Sequence, residues 1–406
     1  MGYKKDVIRG LSFIGSLRFL TKAVGFLETI ILARILVPEQ FGIYAIALLA
    51  LGLLETITQT GVNVVLVQEK ETDKYISSAW LISIVRGVVI MLVLLIAAPF
   101  IANFFRTPDA VTLLYWISIV PLMRGFINPA VVKLQKDLLF AKNFWYQMVI
   151  LVIDTAVSII ATYLLNNPIG IVIGLLAGVI IELILSYMIV SPRPSFHFEK
   201  AYVSTIFHRG KWITGTAIFD YLFTNMDNIA VGRILGASSL GIYQLAYSLA
   251  VTPLVELGNA FNYVMFPIFS KLTHDRSRLR NAFIKMILGV AVLAIPFVII
   301  FTVVPQIFVF ILGEKWSAII SVLPILSLVG FMKAISNMAS ALFLSEIKQK
   351  YAMAITFVTA IGMFAPLIPL VQNYGIVGAA MAALIGSLVA LPFYFYLVWQ
   401  LLRKRV

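Results

Sequence analysis

Five basic side chains lie inside long apolar segments of this 406-residue sequence, where an ionisable group is costly. They are Arg18, Lys22, Arg86, Arg124 and Lys333. A guanidinium group can bind two phosphate oxygens at once, and a lysine supplies a movable positive charge. The same side chains could instead pair with acids or extend to the membrane surface. The alternatives are therefore a binding site for an anionic group and a set of structural contacts.

Acidic residues occur in the same apolar segments and offer a second chemistry. Glu28, Asp154 and Asp227 could bind a coupling proton or sodium ion, or they could fix one helix to its neighbour. Glu28 and Asp227 are 199 positions apart, and for this pair we favour the structural role because a coupling site is needed only once. Asp154 lies deep in its segment and could neutralise one of the arginines. Glu55, Glu182, Asp220 and Glu256 complete the acidic set.

The composition indicates which elements must position these charges. Hydrophobic residues make up 61% of the chain and charged residues only 12%, whereas a soluble domain is about half apolar and a quarter charged. Apolar runs of about 20 residues, the length of a transmembrane helix, recur along the whole sequence. The chain has no cysteine, which excludes disulfides, thiol catalysis and cysteine-ligated metals, and its three histidines show no metal-ligand spacing. We expect an all-α polytopic membrane protein that carries no cofactor.

Twelve membrane-spanning helices are predicted from the apolar runs. They cover residues 10–34, 42–67, 78–101, 111–133, 143–165, 169–190, 211–233, 240–267, 284–312, 317–344, 351–372 and 376–401. Within the sixth segment, Gly174 and Gly178 form a pattern of small residues that predicts close packing against a neighbouring helix.

The connecting segments predict the orientation, because basic residues concentrate on the cytoplasmic side of a membrane. One set of alternate connections holds 22 basic residues, and the other holds only Arg34, Arg106, Arg233 and Lys315. Both termini are therefore expected in the cytoplasm, and this explains the net charge of +13 without nucleic acid. Arg18, Lys22, Arg86 and Arg124 then lie at a similar depth toward the cytoplasm, and Lys333 lies near the middle of its span.

The sequence also contains an internal repeat. Arg34-Ile35-Leu36 and Gly42-Ile43-Tyr44 recur at Arg233-Ile234-Leu235 and Gly241-Ile242-Tyr243, always 199 positions later. Repeats of this kind are typical of membrane transporters. Six spans in each half give the two copies the same orientation. We predict two parallel six-helix lobes, residues 1–200 and 201–406, around a central cavity.

These repeated residues also carry a family resemblance. The stretch from Arg34 to Tyr44 resembles the R-x-L-x-P-x-x-F-G-x-Y pattern of bacterial polysaccharide exporters. The stretch from Asp227 to Tyr243 and the segment Phe266–Lys271 are similar to further stretches of that group. The group comprises the Wzx-type flippases of lipid-linked oligosaccharides, within the MOP superfamily. Several of its members have fourteen spans, whereas this chain has twelve predicted ones.

The resemblance implies a fold and a function. It implies two six-helix lobes, alternating access, and transfer of an undecaprenyl-diphosphate-linked oligosaccharide to the outer leaflet of the bacterial inner membrane. The five cations would then bind the diphosphate, and a polymerase and glycosyltransferases would be partners in polysaccharide biosynthesis. Two other functions stay open. One is export of drugs or small cations, which an acid-dominated cavity would favour. The other is a glycan polymerase, which the short outer loops and missing catalytic motifs disfavour, so we expect no enzyme.

Overall fold

The structure is a computed structural model that describes the backbone of residues 2–59, 61–69, 71–197 and 199–403. Side chains are described for the same residues except 2–14, 63–64, 200–201, 203–214 and 216. Part of the orientation argument therefore rests on residues or side chains outside this description. These are Lys4, Lys5, Arg9, Lys70, Lys200, Arg209, Lys211, Lys404 and Arg405.

The chain divides into two compact units, residues 1–225 and 226–406, and the division falls within a long helix. The first unit is built from helices that pack mainly as neighbouring pairs. These are α1 (Gly2–Ile35), α2 (Pro38–Ile57), α3 (Val62–Gln68), α4 (Thr72–Phe104), α5 (Ala110–Gly125), a 3₁₀ turn (Pro129–Val131), α6 (Val132–Lys136), α7 (Phe140–Leu165), α8 (Ile169–Ile189) and most of α9 (Lys200–Leu235).

The second unit begins near the end of α9. It continues with α10 (Ala237–Ala250), α11 (Thr252–Leu272), α12 (Arg276–Val303), α13 (Gln306–Leu312), a 3₁₀ segment (Glu314–Ser321), α14 (Leu323–Ser345) and α15 (Gln349–Leu402). Its core includes Phe269, Phe283, Phe343 and Tyr394, whose side chains are almost fully buried.

The described elements confirm an all-α polytopic membrane protein. Eight helices are long and apolar enough to cross a bilayer, or nine if residues 110–136 form one bent span. Helix α15 is 54 residues long, more than twice the ~20 residues that one span needs. Non-helical backbone at Gly375 (φ 60°, ψ −137°) divides it between the eleventh and twelfth predicted spans. Helices α1 and α9 cover the remaining two predictions.

Several predicted spans are bent or interrupted by non-helical residues. In predicted span 42–67, α2 ends at Ile57, and Gly61, with a φ of 66°, precedes α3. In predicted span 284–312, α12 ends at Val303 and a new helix begins after Pro305, which cannot donate a backbone hydrogen bond. The fourth span bends by 70° between residues 110–125 and 129–136, whereas the eighth remains one candidate span, Ala237–Leu272, across the junction of α10 and α11. Mean hydropathy does not report such breaks.

The first copy of the repeated segment forms a tight turn between α1 and α2. Pro38 is the first residue of α2, where its missing N–H group leaves no hydrogen bond unmade. The Gln40 side chain accepts a hydrogen bond from the Val37 N–H (3.1 Å) and donates one to the Asn166 carbonyl oxygen (2.8 Å). The turn is thereby attached to the turn between α7 and α8.

The close packing predicted for Gly174 and Gly178 is confirmed in the first unit. A Cβ atom on Gly174 would lie 2.5 Å from the Ser158 Cβ, and one on Gly178 would lie 2.9 Å from the Asp154 Cβ. These two positions of α8 therefore let α7 approach at the depth of Asp154.

Candidate functional site

Two arginines of the first unit are positioned by close packing of α4 against α5. Each is followed by a glycine, as Arg86-Gly87 on α4 and as Arg124-Gly125 on α5. A Cβ atom on the first glycine would lie 2.4 Å from the Pro121 carbonyl oxygen, and one on the second would lie 2.7 Å from the Ser83 carbonyl oxygen. The backbones of α4 and α5 are therefore in direct contact beside both arginines, and only glycine fits at these two positions. This approach fixes the spacing of the two helices at the depth of the two cations.

Arg124 forms an ion pair with an acid on a third helix. Its Nη1 atom lies 3.0 Å from Glu55 Oε1 of α2. The Arg124 side chain is 43% exposed and the Glu55 side chain is 32% exposed. The pair is thus accessible, and part of the guanidinium is open to a further ligand. Asp154 on α7, which the sequence suggested as a neutralising partner for an arginine, is not the acid in this ion pair, but the Arg124 charge acts on it.

Arg86 contacts the same part of α2 through a different group. Its Nη2 atom donates a hydrogen bond to the Glu55 carbonyl oxygen (2.9 Å), and its Nε atom donates one to Thr58 Oγ1 (3.1 Å). The last four carbonyl groups of a helix lack partners within the helix, and a cation is favourable at that end. Arg86 therefore caps the C-terminus of α2 while its charge stays beside Arg124. Glu55 links the two arginines, one through its backbone and the other through its side chain.

Two other predicted phosphate ligands lie on α1. Arg18 and Lys22 are one helical turn apart and both are exposed. Helix α1 packs against α7 in the first unit, whereas Arg86 and Arg124 belong to the α4–α5 pair. Their assignment to the same phosphate site stays a prediction.

Lys333 lies in the second unit, in a polar cluster of its own. Its Nζ atom donates a hydrogen bond to the Tyr247 hydroxyl (2.7 Å) and lies 5.2 Å from the centre of that ring. The negative charge of Asp227 also acts on Lys333. Asp227 is buried and accepts hydrogen bonds from the Tyr243 hydroxyl (2.8 Å) and from the Asn228 N–H (2.9 Å). Its carboxylate therefore connects α9 to α10.

Glu28 and Asp154 line one small cavity in the first unit. The cavity has a volume of about 160 Å³, and Thr29, Phe41, Tyr44 and Ile171 complete most of its wall. Thr155 Oγ1 donates a hydrogen bond to Glu28 Oε2 over 3.2 Å. Two carboxyl groups thus face a space large enough for a few water molecules.

The sequence analysis singled out the charged residues but not the residues that contact them. Glu55 appeared only as one acid among several, and neither Tyr247 nor Thr155 was singled out. The two Arg-Gly dipeptides were an available signal, because a glycine inside a membrane helix often marks close approach of a neighbour. Within the part of the chain that the structure describes, no three His, Cys, Asp or Glu residues are grouped to hold a metal ion.

Solved structures share this fold. A lipid II flippase, MurJ, in an inward closed conformation superposes with a TM-score of 0.75 at 16% identity, over 96% of this chain and 87% of that one. A multidrug resistance MATE family transporter of the MOP superfamily, in its inward-facing conformation, gives a TM-score of 0.72 at 16% identity, over 94% of both chains. These likenesses show a twelve-helix, two-repeat fold.

Sequence comparison adds relatives named for polysaccharide biosynthesis. The lipopolysaccharide biosynthesis protein WzxC of Escherichia coli K12 is 26% identical over 95% of this chain and 78% of its own length. The teichuronic acid biosynthesis protein TuaB of Bacillus subtilis 168 is also 26% identical, over 72% of this chain and 61% of its own length. The chain matches the polysaccharide biosynthesis protein family over residues 31–321, which is more than half of its length. The chain belongs to that family.

Proposed function

We propose that this protein is a flippase that moves an oligosaccharide linked to undecaprenyl diphosphate from the cytoplasmic to the outer leaflet of the bacterial inner membrane. Several sequence relatives are named for polysaccharide biosynthesis, and one, the succinoglycan biosynthesis protein ExoT of Rhizobium meliloti, is named as a transport protein. The fold is shared with a lipid II flippase. Both observations support transport of a lipid-linked glycan.

The observation that carries the proposal is the arginine pair held at Glu55. Arg86 and Arg124 stand on adjacent helices, contact the same residue, and leave the Arg124 guanidinium partly exposed. Two neighbouring guanidinium groups inside an apolar segment can bind several oxygens of a diphosphate, and they compensate its charge within the membrane. Arg18 and Lys22, in the same unit, would add positive charge along the path.

Transport would proceed by alternating access. The diphosphate enters from the cytoplasm and binds the arginines, while the polyprenyl chain stays in the bilayer and the sugar occupies the aqueous path. The two repeats then change their access from one side of the membrane to the other. Release into the outer leaflet would deliver the glycan to a polymerase, and glycosyltransferases would supply the substrate. The chain itself performs no covalent step.

The alternative functions make different demands. A drug or small-cation exporter needs anionic groups for its cargo, and the likeness to MATE transporters extends to the fold alone. In the first unit, the Arg124 guanidinium stays partly exposed while it contacts the acid Glu55, which suits an anionic cargo better. A glycan polymerase needs a catalytic site, and no observation favours one.

An export assay tests the proposal directly. Arg124→Ala and Arg86→Ala should each abolish glycan export in a strain that lacks the native gene, with normal amounts of protein in the membrane. Arg280→Ala is the matched control, because Arg280 is an exposed arginine at the start of α12. Unimpaired export by both of the first two variants would refute the diphosphate site.

The proposed orientation, with both termini in the cytoplasm, has an equally direct test. Because the sequence has no cysteine, single cysteines can be labelled without background. A membrane-impermeant thiol reagent applied from outside should label Asp109→Cys and should leave Ser277→Cys unlabelled until the cells are opened. Both positions are connecting residues or lie next to one. The reverse pattern would invert the topology.

For the energy source we propose a proton or sodium ion bound by Glu28 and Asp154. The supporting observation is the cavity of about 160 Å³ that both carboxyl groups line. Asp227 has its oxygens engaged by Tyr243 and Asn228, which fits a structural role. In proteoliposomes, substrate-driven movement of the ion should be lost in Glu28→Gln and Asp154→Asn, while substrate binding is retained. Ion movement that persists in both variants would contradict this assignment.

A further inference from the structure

Glu55 contacts both arginines of the proposed diphosphate site, but through groups with different consequences for mutation. Its carbonyl oxygen accepts the hydrogen bond from Arg86 Nη2 (2.9 Å), and no side-chain substitution removes that acceptor. Its carboxylate forms the ion pair with Arg124, with Oε1 3.0 Å from Nη1, while the Arg124 charge also acts on Asp154 and Glu182 at longer range. A substitution at Glu55 can therefore change the electrostatic state of Arg124 while the acceptor of Arg86 stays in place.

The ion pair has the properties of a contact that can open. With side chains 43% and 32% exposed, the pair is only partly enclosed by protein, and ion pairs that are not buried contribute less to stability than buried ones. A carboxylate presents to a guanidinium the same kind of oxygen acceptors as a phosphate group. A partly exposed guanidinium therefore exchanges one oxygen ligand for another at small cost. An unpaired arginine within an apolar segment would be much less favourable.

We propose that Glu55 is the resident counter-ion of Arg124, which a phosphate group of the lipid-linked substrate must replace during loading. The inference rests on the proposed diphosphate site and assigns to it a positioning residue of opposite charge. When the substrate is absent, the carboxylate neutralises Arg124 and keeps it beside Arg86. When the diphosphate binds, the carboxylate leaves Arg124, and its return assists release in the outward-open state.

This exchange predicts that removal of the Glu55 carboxylate raises the affinity for substrate. Loss of an acid from a cationic site should strengthen substrate binding, since the diphosphate no longer competes with the carboxylate. The gain is limited to about two- to fivefold in Kd, the range expected for removing one half-exposed ion pair. Faster loading should be accompanied by slower release, so export should fall although affinity rises.

The test measures binding of farnesyl diphosphate to the full chain in phospholipid nanodiscs. Glu55→Gln and Glu55→Ala both remove the carboxylate and should lower the Kd about two- to fivefold. Glu55→Asp keeps the charge and should stay within about twofold of the wild type. Arg124→Ala should raise the Kd, and adding Glu55→Gln to Arg124→Ala should give no recovery. Melting temperatures and gel filtration identify any variant that fails to fold.

The outcomes separate this inference from the proposed function. If Arg124→Ala weakens binding but both carboxylate-removing variants leave it unchanged or weaker, the counter-ion exchange is wrong and the diphosphate site stands. If Glu55→Gln tightens binding equally with and without Arg124, long-range repulsion explains the effect and the exchange is again wrong. If neither Arg86→Ala nor Arg124→Ala changes the Kd, the diphosphate site is wrong, and the inference falls with it.

Discussion

The two units contain the same pair of duplicated residues in different surroundings. Glu28 and Tyr44 in the first unit correspond to Asp227 and Tyr243 in the second, each 199 positions later. In the second unit the tyrosine hydroxyl donates a hydrogen bond to the buried carboxylate over 2.8 Å. Among the described contacts of the first unit no such bond joins Tyr44 to Glu28, and both residues line a cavity together with Asp154.

The difference shows how one duplicated pair can serve two purposes. A carboxylate whose oxygens are occupied by donors inside the protein is a structural link, because its loss leaves those donors buried without partners. A carboxylate that faces a polar cavity can exchange a proton or a cation with little rearrangement. We therefore expect the second-unit pair to control stability and the first-unit pair to control transport.

The largest expected effect comes from removing the duplicated acid of the second unit. Asp227→Ala leaves the buried Tyr243 hydroxyl without its acceptor, and it takes away a negative charge that acts on Lys333. We expect a loss of about 3 kcal/mol in the free energy of unfolding, measured by SDS titration. The equivalent change Glu28→Ala should cost less than about 1 kcal/mol, because its cavity can admit water. Equal losses of unfolding free energy in the two variants would contradict the different roles assigned to the two acids.

Lys333→Met should have the next largest effect and tests whether this cation belongs to the structural cluster. The change removes the hydrogen-bond donor to the Tyr247 hydroxyl, and it removes a positive charge that acts on Asp227. We expect a loss of about 2 kcal/mol in unfolding free energy, with an unchanged Kd for farnesyl diphosphate. If stability is kept and the Kd rises, Lys333 is one of the phosphate ligands, as the sequence predicted.

Deleting the two tyrosine hydroxyls should have the smallest effect on the free energy of unfolding. These two variants are also the most closely matched pair. Tyr243→Phe removes one hydrogen bond to a buried carboxylate and should cost about 1 kcal/mol of unfolding free energy. Tyr44→Phe makes the identical chemical change at the duplicated position and should be close to neutral. Comparable losses in the two variants would show that the first-unit pair is also a structural link.

The sequence was informative about membrane-spanning segments because hydropathy and length are properties of a single helix. Helices α7 (Phe140–Leu165) and α8 (Ile169–Ile189) lie close to the predicted 143–165 and 169–190. Hydropathy could not place the breaks near Gly61 and Pro305, because an apolar segment stays apolar across a non-helical residue. The duplicated residues also predicted two six-helix lobes, residues 1–200 and 201–406, and these bounds stay a prediction.

The partners of the charged residues could not be predicted, because they depend on which helices are neighbours and how each is rotated. The pairing of Arg124 with Glu55 joins positions 69 residues apart on α5 and α2. Several other acids of the first half, among them Asp154 and Glu182, also lie inside predicted membrane-spanning segments. Helix α5 contacts both α2 and α8, and the 3.0 Å approach of Arg124 Nη1 to Glu55 Oε1 is what distinguishes Glu55 from Glu182 on α8.

The Arg-Gly dipeptides on α4 and α5 have a consequence for the search for relatives with the same cargo. In each dipeptide the arginine carries the charge and the glycine after it sets the spacing between the helices, so the four residues act together. A change to alanine at either glycine would shift both guanidinium groups without altering a single charge. Genomes can therefore be searched for Arg-Gly in the third and fourth spans together with an acid in the second. Chains that keep this combination are the first in which to look for a diphosphate-linked substrate.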